Sequence, residues 1–233
     1  DVINSGLINM QASSDYGQVQ LYSNNVTGNL TNSGTILAAG SYGIYLYSSD
    51  IGGNLTNSGL IDNSDGQGVQ LYSSDIGGSL TNSGTIQANG DYGLYLYSSD
   101  IGGNLTNSGL IDNTGGMGAL LSYVTVSGDI TNSGTIMGTR SGLTLYQVDV
   151  TGTVNNSGII SGSYGLSFTS STITGGIINS GTIIGTTNDA LYFSNMDSIT
   201  TATNTGLIDG TVQLEDNILN LNGTTGRITG IVI

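Results

Sequence analysis

Gly78-Ser79-Leu80-Thr81-Asn82-Ser83-Gly84-Thr85-Ile86-Gln87-Ala88-Asn89-Gly90-Asp91-Tyr92-Gly93-Leu94-Tyr95-Leu96-Tyr97-Ser98-Ser99-Asp100-Ile101-Gly102 decides the fold. Ser79 to Asn82 alternates polar and apolar, as a strand with one buried face does. Ser83-Gly84 reads as a tight turn, with glycine supplying the backbone angle of the corner. Thr85 to Ala88 is a second strand, and Asn89-Gly90 a second turn. Leu94 to Tyr97 is a third strand, with Leu94 and Leu96 inward and Tyr95 and Tyr97 outward. Ser98-Ser99-Asp100 turns again, and Ile101 drops back inside.

The same pattern recurs along the chain. Asn-Ser-Gly or Asn-Thr-Gly has its Asn at 4, 32, 57, 82, 107, 132, 156, 179 and 204. A fixed period of about 25 residues is the mark of a solenoid. Leu80 has equivalents in Leu30, Leu55, Leu105, Ile130, Val154 and Ile177. Ile86 is matched by Ile36, Ile61, Ile111, Ile136, Ile160, Ile183 and Ile208. The expected fold is all-β: a right-handed parallel β-helix of about nine rungs, roughly 25 residues each. Each rung buries about five aliphatic side chains, worth about 1.5–3 kcal/mol apiece. At the usual strand spacing the rod is on the order of 40 Å long. The Asn amides are expected to stack into a ladder along the axis.

Residues 42–66 and 92–116 are close copies, so a two-rung unit has duplicated. The repeat drifts after Thr125 and loosens from about Met196. Residues 1–233 read as a single domain, with regular rungs over 3–210 and an irregular last rung or cap over 211–233. The chain opens inside a repeat, at Ile3-Asn4-Ser5-Gly6, and reads as a processed product or a piece of something longer.

Composition narrows the function. Net charge is −14, lysine is absent, and the only cations are Arg140 and Arg227. Nucleic acids and anionic membranes need a basic surface, so neither is expected as a partner. No stretch has the roughly 20 apolar residues of a membrane span. Histidine and cysteine are absent, which removes histidine bases, disulfides and His- or Cys-ligated metals. Paired carboxylates remain as a catalytic route. The regular rungs show no local break of the kind an active site makes, so the irregular C-terminal third is the one place for it.

Three outward columns stand out. Tyr22, Tyr47, Tyr72 and Tyr97 are equivalent in successive rungs, and Tyr146 rejoins them after Ser122. Tyr45 and Tyr95 lie two residues earlier on the same face, alternating with Gln20 and Gln70. This array either binds sugar rings or a protein, or stacks to stabilise the sheet. Asp50, Asp75 and Asp100 form an acidic column that either is solvated or bridges calcium between rungs. Asn29/Thr31, Asn54/Thr56 and Asn104/Thr106 form a third column, matching a glycosylation acceptor.

Gly53-Asn54-Leu55-Thr56-Asn57-Ser58-Gly59-Leu60-Ile61 and Gly128-Asp129-Ile130-Thr131-Asn132-Ser133-Gly134-Thr135-Ile136 resemble repeats of bacterial autotransporter passengers and two-partner-secreted exoproteins. The resemblance covers about residues 3–210. It implies a secreted β-helix at the bacterial cell surface, and a role in adhesion, aggregation or biofilm. No catalytic residue carries over. The expected partner is a surface glycan or protein, or the chain itself. Two alternatives stand beside this non-enzymatic reading. One is a filament or surface-layer subunit stacking end to end through unpaired strand edges. The other is a polysaccharide-degrading β-helix.

Overall fold

A computed structural model describes residues 1–10, 19–196, 198–199, 201–214, 221–222 and 227–229. Within it the chain is a parallel β-solenoid, and no helix forms among the described residues. The coil quoted above supplies three strands, Leu80–Asn82, Thr85–Ala88 and Tyr92–Tyr97. Its turns fall where Ser, Gly, Asn and Asp cluster. Each strand pairs with its equivalents one coil away: Leu80 faces Leu55 and Leu105, Ile86 faces Ile61 and Ile111, Leu94 faces Val69 and Ala119. Eight turns of the solenoid separate Asn4 from Asn204.

The first face is a sheet of ten parallel strands, from Val2–Asn4 to Leu221–Asn222. The second and third faces belong to a common nineteen-stranded sheet. They merge because Thr182–Ser194 and Leu207–Leu214 each run across both faces as one strand. Towards the end of the chain, Leu221–Asn222 pairs with Ala202–Asn204, and Arg227–Ile228 pairs with Leu207–Leu214. The expected last rung or cap otherwise lies outside the described residues, as does Glu215.

The inward side chains form one continuous core from Leu30 to Val212. In the reference coil Leu80, Ile86, Leu94, Leu96 and Ile101 are all at most 2 % exposed, matching the five aliphatics expected. A lone coil leaves these side chains open above and below, so burial arises only from stacking.

The amide ladder is present and continuous. Asn4 donates from Nδ2 to Asn32 Oδ1 at 2.7 Å, and the same bond repeats at 2.7–2.8 Å through Asn57, Asn82, Asn107, Asn132, Asn156 and Asn179 to Asn204. Interior members also donate to a backbone carbonyl of the following coil, as Asn82 does to Leu110 at 3.1 Å. Both amide hydrogens are therefore used, which is what permits a primary amide in a dry interior.

The glycine of Asn-Ser-Gly has a different purpose from the one expected. None of these glycines takes a left-handed backbone angle. A Cβ on Gly84 would fall against the Gly59 carbonyl oxygen of the neighbouring coil. Close approach between coils, not φ, requires glycine here.

The left-handed corner lies elsewhere, at the end of the third strand. Ser23, Ser48, Ser73, Ser98, Tyr123, Gln147, Ser170 and Asn195 all have φ between 47° and 57°. Such residues cost about 1–2 kcal/mol each outside glycine. After Ser48, Ser73, Ser98 and Ser170 a buried serine one position later offsets this. Ser74 Oγ donates to the Tyr72 carbonyl at 3.0 Å and accepts the Ser49 N–H at 2.9 Å. Ser99 Oγ does the same for Tyr97 and Ser74. These serines form a second internal ladder.

The two-coil unit is visible at the second corner. Ala38 and Ala88 alternate with Asn63 and Asn113, and all four are buried. Asn63 Nδ2 donates to Gln67 O at 2.7 Å and Asn113 Nδ2 to Met117 O at 2.8 Å, closing the wider turn of the even coils.

Candidate functional site

The third strand ends each coil with an outward residue just before the left-handed corner. Parallel register stacks these residues directly. Tyr22, Tyr47, Tyr72 and Tyr97 lie in successive coils with centroids 4.7, 5.3 and 4.7 Å apart and planes within 18°. Strand spacing alone sets this distance. Tyr47 and Tyr72 have a ring on both sides, so their faces are covered. What they present is ring edges and hydroxyls.

The column continues through a residue that sequence alignment passes over. Tyr97 is in register with Ser122, which is buried. The gap is filled by Tyr123, which takes the left-handed corner position at φ 57°. Its ring meets Tyr97 edge-on at 5.5 Å and Tyr146 edge-on at 5.6 Å. Six rings thus run unbroken from Tyr22 to Tyr146. The available signal was the string Leu121-Ser122-Tyr123, where an aromatic reappears one place late.

Tyr45 and Tyr95 are not isolated beside this column. Tyr45 stacks on Tyr42 at 4.4 Å and Tyr95 on Tyr92 at 4.3 Å. Each also touches the main column, at 6.3 Å to Tyr47 and 6.2 Å to Tyr97. Gln70 sits in register between Tyr45 and Tyr95, and its side chain is buried. Its Oε1 finds no hydrogen-bond partner.

Burial raises the phenol pKa of Tyr42, Tyr45 and Tyr92 above the ordinary value. It pushes Tyr95 up to about 12, helped by the neighbouring tyrosines. Tyr123 is raised too, first through its hydrogen bond with Tyr146. These five phenols therefore stay neutral at ordinary pH. The strip is an amphipathic band on a strongly acidic rod.

The acidic column is tied into the backbone. Asp50 Oδ1 accepts the Asp75 N–H at 3.0 Å, Asp75 Oδ1 the Asp100 N–H at 2.8 Å, and Asp100 Oδ1 the Thr125 N–H at 2.6 Å. Each carboxylate thus caps the following coil. Asn25 begins the series in the same way, accepting the Asp50 N–H at 2.9 Å. Among the described residues no three acidic side chains converge. The first face behaves alike: Asn29 Oδ1 accepts the Asn54 N–H and Asn54 Oδ1 the Ser79 N–H, both at 2.8 Å.

Comparison with protein-family models, with curated proteins and with solved structures yields no match. The family resemblance therefore rests on the repeat residues themselves.

Proposed function

We propose that the chain is a non-enzymatic contact rod of an extracellular surface, with the tyrosine strip as its contact face. The observation that carries this reading is the unbroken ladder of six rings from Tyr22 to Tyr146. Tyrosine combines apolar area with a polar tip, and is favoured where proteins make contact. Rings locked by their neighbours lose little further freedom on binding. A polymer lying along the strip meets the same group once per coil, so weak contacts sum. A surface glycan or a protein strand fits this description. The absence of histidine and cysteine supports a non-catalytic role. The repeat's resemblance to secreted β-helices supports the location.

The test is retention of the chain on intact bacterial cells and on a panel of immobilised surface polysaccharides. The triple variant Tyr47→Ser, Tyr72→Ser, Tyr97→Ser should lose retention while keeping its β-sheet circular dichroism. Retention equal to that of the parent chain sinks the proposal.

A specific feature favours self-assembly as the second reading. Every Asn of the ladder donates in the same sense along the axis, from Asn4 towards Asn204. Any two such stacks are complementary end to end, amide N–H to amide oxygen. Electron microscopy over a range of concentrations distinguishes fibres from single short rods.

A further inference from the structure

The third face loses its aromatic padding after the regular coils, and a cleft of about 460 Å³ opens there. Register shows why. The column holding Tyr92 continues as Met117, Ser141 and Tyr164. The column holding Tyr95 continues as Leu120, Thr144, Ser167 and Tyr192. Small hydroxyl residues thus replace large side chains for one coil in the first column and for two in the second, and tyrosine returns beyond them. Ser141, Thr144 and Ser167 form the floor, between Met117 on one side and Tyr164 and Tyr192 on the other. Ser141 and Ser167 are themselves buried, and Thr144 Oγ1 donates to Ser141 Oγ at 2.8 Å. The floor is fixed rather than loose.

Arg140 stands at this cleft, projecting from the corner just before the floor. Its side chain is exposed and forms no ion pair among the described residues. Asp91 comes near enough that both it and Arg140 act on the Tyr92 phenol, with opposite signs, yet the two do not pair. In a chain of net charge −14 with two cations, an unpaired guanidinium beside a hydroxyl-lined cleft calls for an anion. The planar fork of arginine matches a carboxylate. Hydroxyls of Ser and Thr both donate and accept, as sugar hydroxyls require. Tyr164 and Tyr192 lie 5.7 Å apart and tilted by 60°. They do not cover one another as the ladder tyrosines do. The volume lies within the roughly 300–1,000 Å³ of small-ligand pockets.

From this juxtaposition we infer that the Arg140 cleft binds a carboxylated sugar, such as a uronic or sialic acid unit of an acidic glycan. Among the described residues no carboxylate lines the cleft, and hydrolysis by a carboxylate pair would need two. The site binds and does not cut. It is separate from the regular tyrosine strip, and the inference stands whether or not that strip is a contact face.

The experiment is calorimetric titration of the full chain with trigalacturonate, its trimethyl ester and N-acetylneuraminic acid. At least one of the two acids should bind saturably with a Kd of about 1 mM or tighter. The neutral ester should bind about tenfold more weakly than trigalacturonate if the latter is the ligand. Arg140→Gln should lower acid affinity by about tenfold, and added salt should weaken the parent but not the variant. Thr144→Tyr, which restores the side chain of the regular coils, should abolish binding while Ile178→Thr, on the first face, leaves it intact. Arg140 is exposed, so its variant keeps the fold, checked by circular dichroism. The inference is overturned if neither acid binds, if the ester matches trigalacturonate as ligand, if Arg140→Gln binds like the parent, or if the oligomer is recovered shortened.

Discussion

The coils from Leu30 to Asn113 and those from Met117 to Leu214 share an interior and differ in what they show outside. In the first group Leu46, Leu71 and Leu96 stack at one inward position. In the second Leu121, Leu145, Phe168 and Phe193 continue that column, and all are buried. Phe168 and Phe193 stack face to face at 5.2 Å. Outward, the first group repeats tyrosine and glutamine, whereas the second gives Ser141, Thr144 and Ser167 and a cleft. An inward residue answers to the coil above and the coil below at native packing density. An outward residue answers to fewer neighbours, along its column and across the same face, with solvent on the remaining side. Variation therefore collects on the surface of a solenoid without dismantling it.

The sharpest way to break the regular half is through its amide ladder. Asn107→Ala removes the acceptor of Asn82 Nδ2 and the donor to Asn132 Oδ1. Each orphaned buried group costs about 1–3 kcal/mol, so a loss of about 2–6 kcal/mol is expected in urea unfolding. A loss under 1 kcal/mol would mean that the amide ladder does not hold the coils together. Next in size is the comparison of rings. Tyr72→Ala removes two stacked contacts, worth about 0.5–1.5 kcal/mol each. Tyr192→Ala removes a single tilted contact with Tyr164, and thermal melts should place it clearly below Tyr72→Ala.

Alkaline pH separates the halves more gently. Tyr95 keeps its proton in the folded chain to about 12 against an ordinary phenol value of 10.0. The unfolded chain releases that proton first, so Tyr95's contribution is whole below pH 10 and is lost as pH rises towards 12. Tyrosinate absorbance during titration should show a late-ionising fraction. Tyr95→Gln, which copies Gln70, should shrink that fraction and flatten the decline in melting temperature. The smallest effect is expected at Ile178, which is 39 % exposed where the regular coils carry threonine. Ile178→Thr should shift stability by no more than about 0.5 kcal/mol, and a larger change in urea midpoint would show that this surface position is not independent.

Much of the architecture could be read beforehand because inward residues return at a fixed interval. Leu80, Ile86, Leu94, Leu96 and Ile101 needed only alternation and period to be placed in the core. The asparagine ladder followed from the same period. What escaped prediction lies at the corners. A left-handed residue breaks the in-out alternation, so Ser74 and Ser99 looked like turn residues and proved to be buried partners of the backbone. The same break hid Tyr123, whose position normally belongs to a serine. The role of Gly84 was misjudged because proximity between coils has no local signature. The cleft was harder still. Drift of the repeat after Thr125 marked the region, but a floor made by the absence of large side chains has no motif, and Arg140 stands alone in sequence.

The asparagine ladder has a consequence for how such a rod changes length. Its bonds join residues mostly 25 apart, with 23, 24 and 28 also present. Removing one residue within a strand would face Asn82 with a serine or threonine and turn the core side chains out from that point onward. Removing a whole coil merely presents the same amide to an identical partner. Rod length therefore changes most simply in whole coils, which leaves the surviving coils undisturbed, and the 24- and 23-residue spacings are accommodated where a corner shortens, as between Thr135–Gly138 and Ser141–Val150 or between Ile159–Gly162 and Tyr164–Thr169, never within a strand.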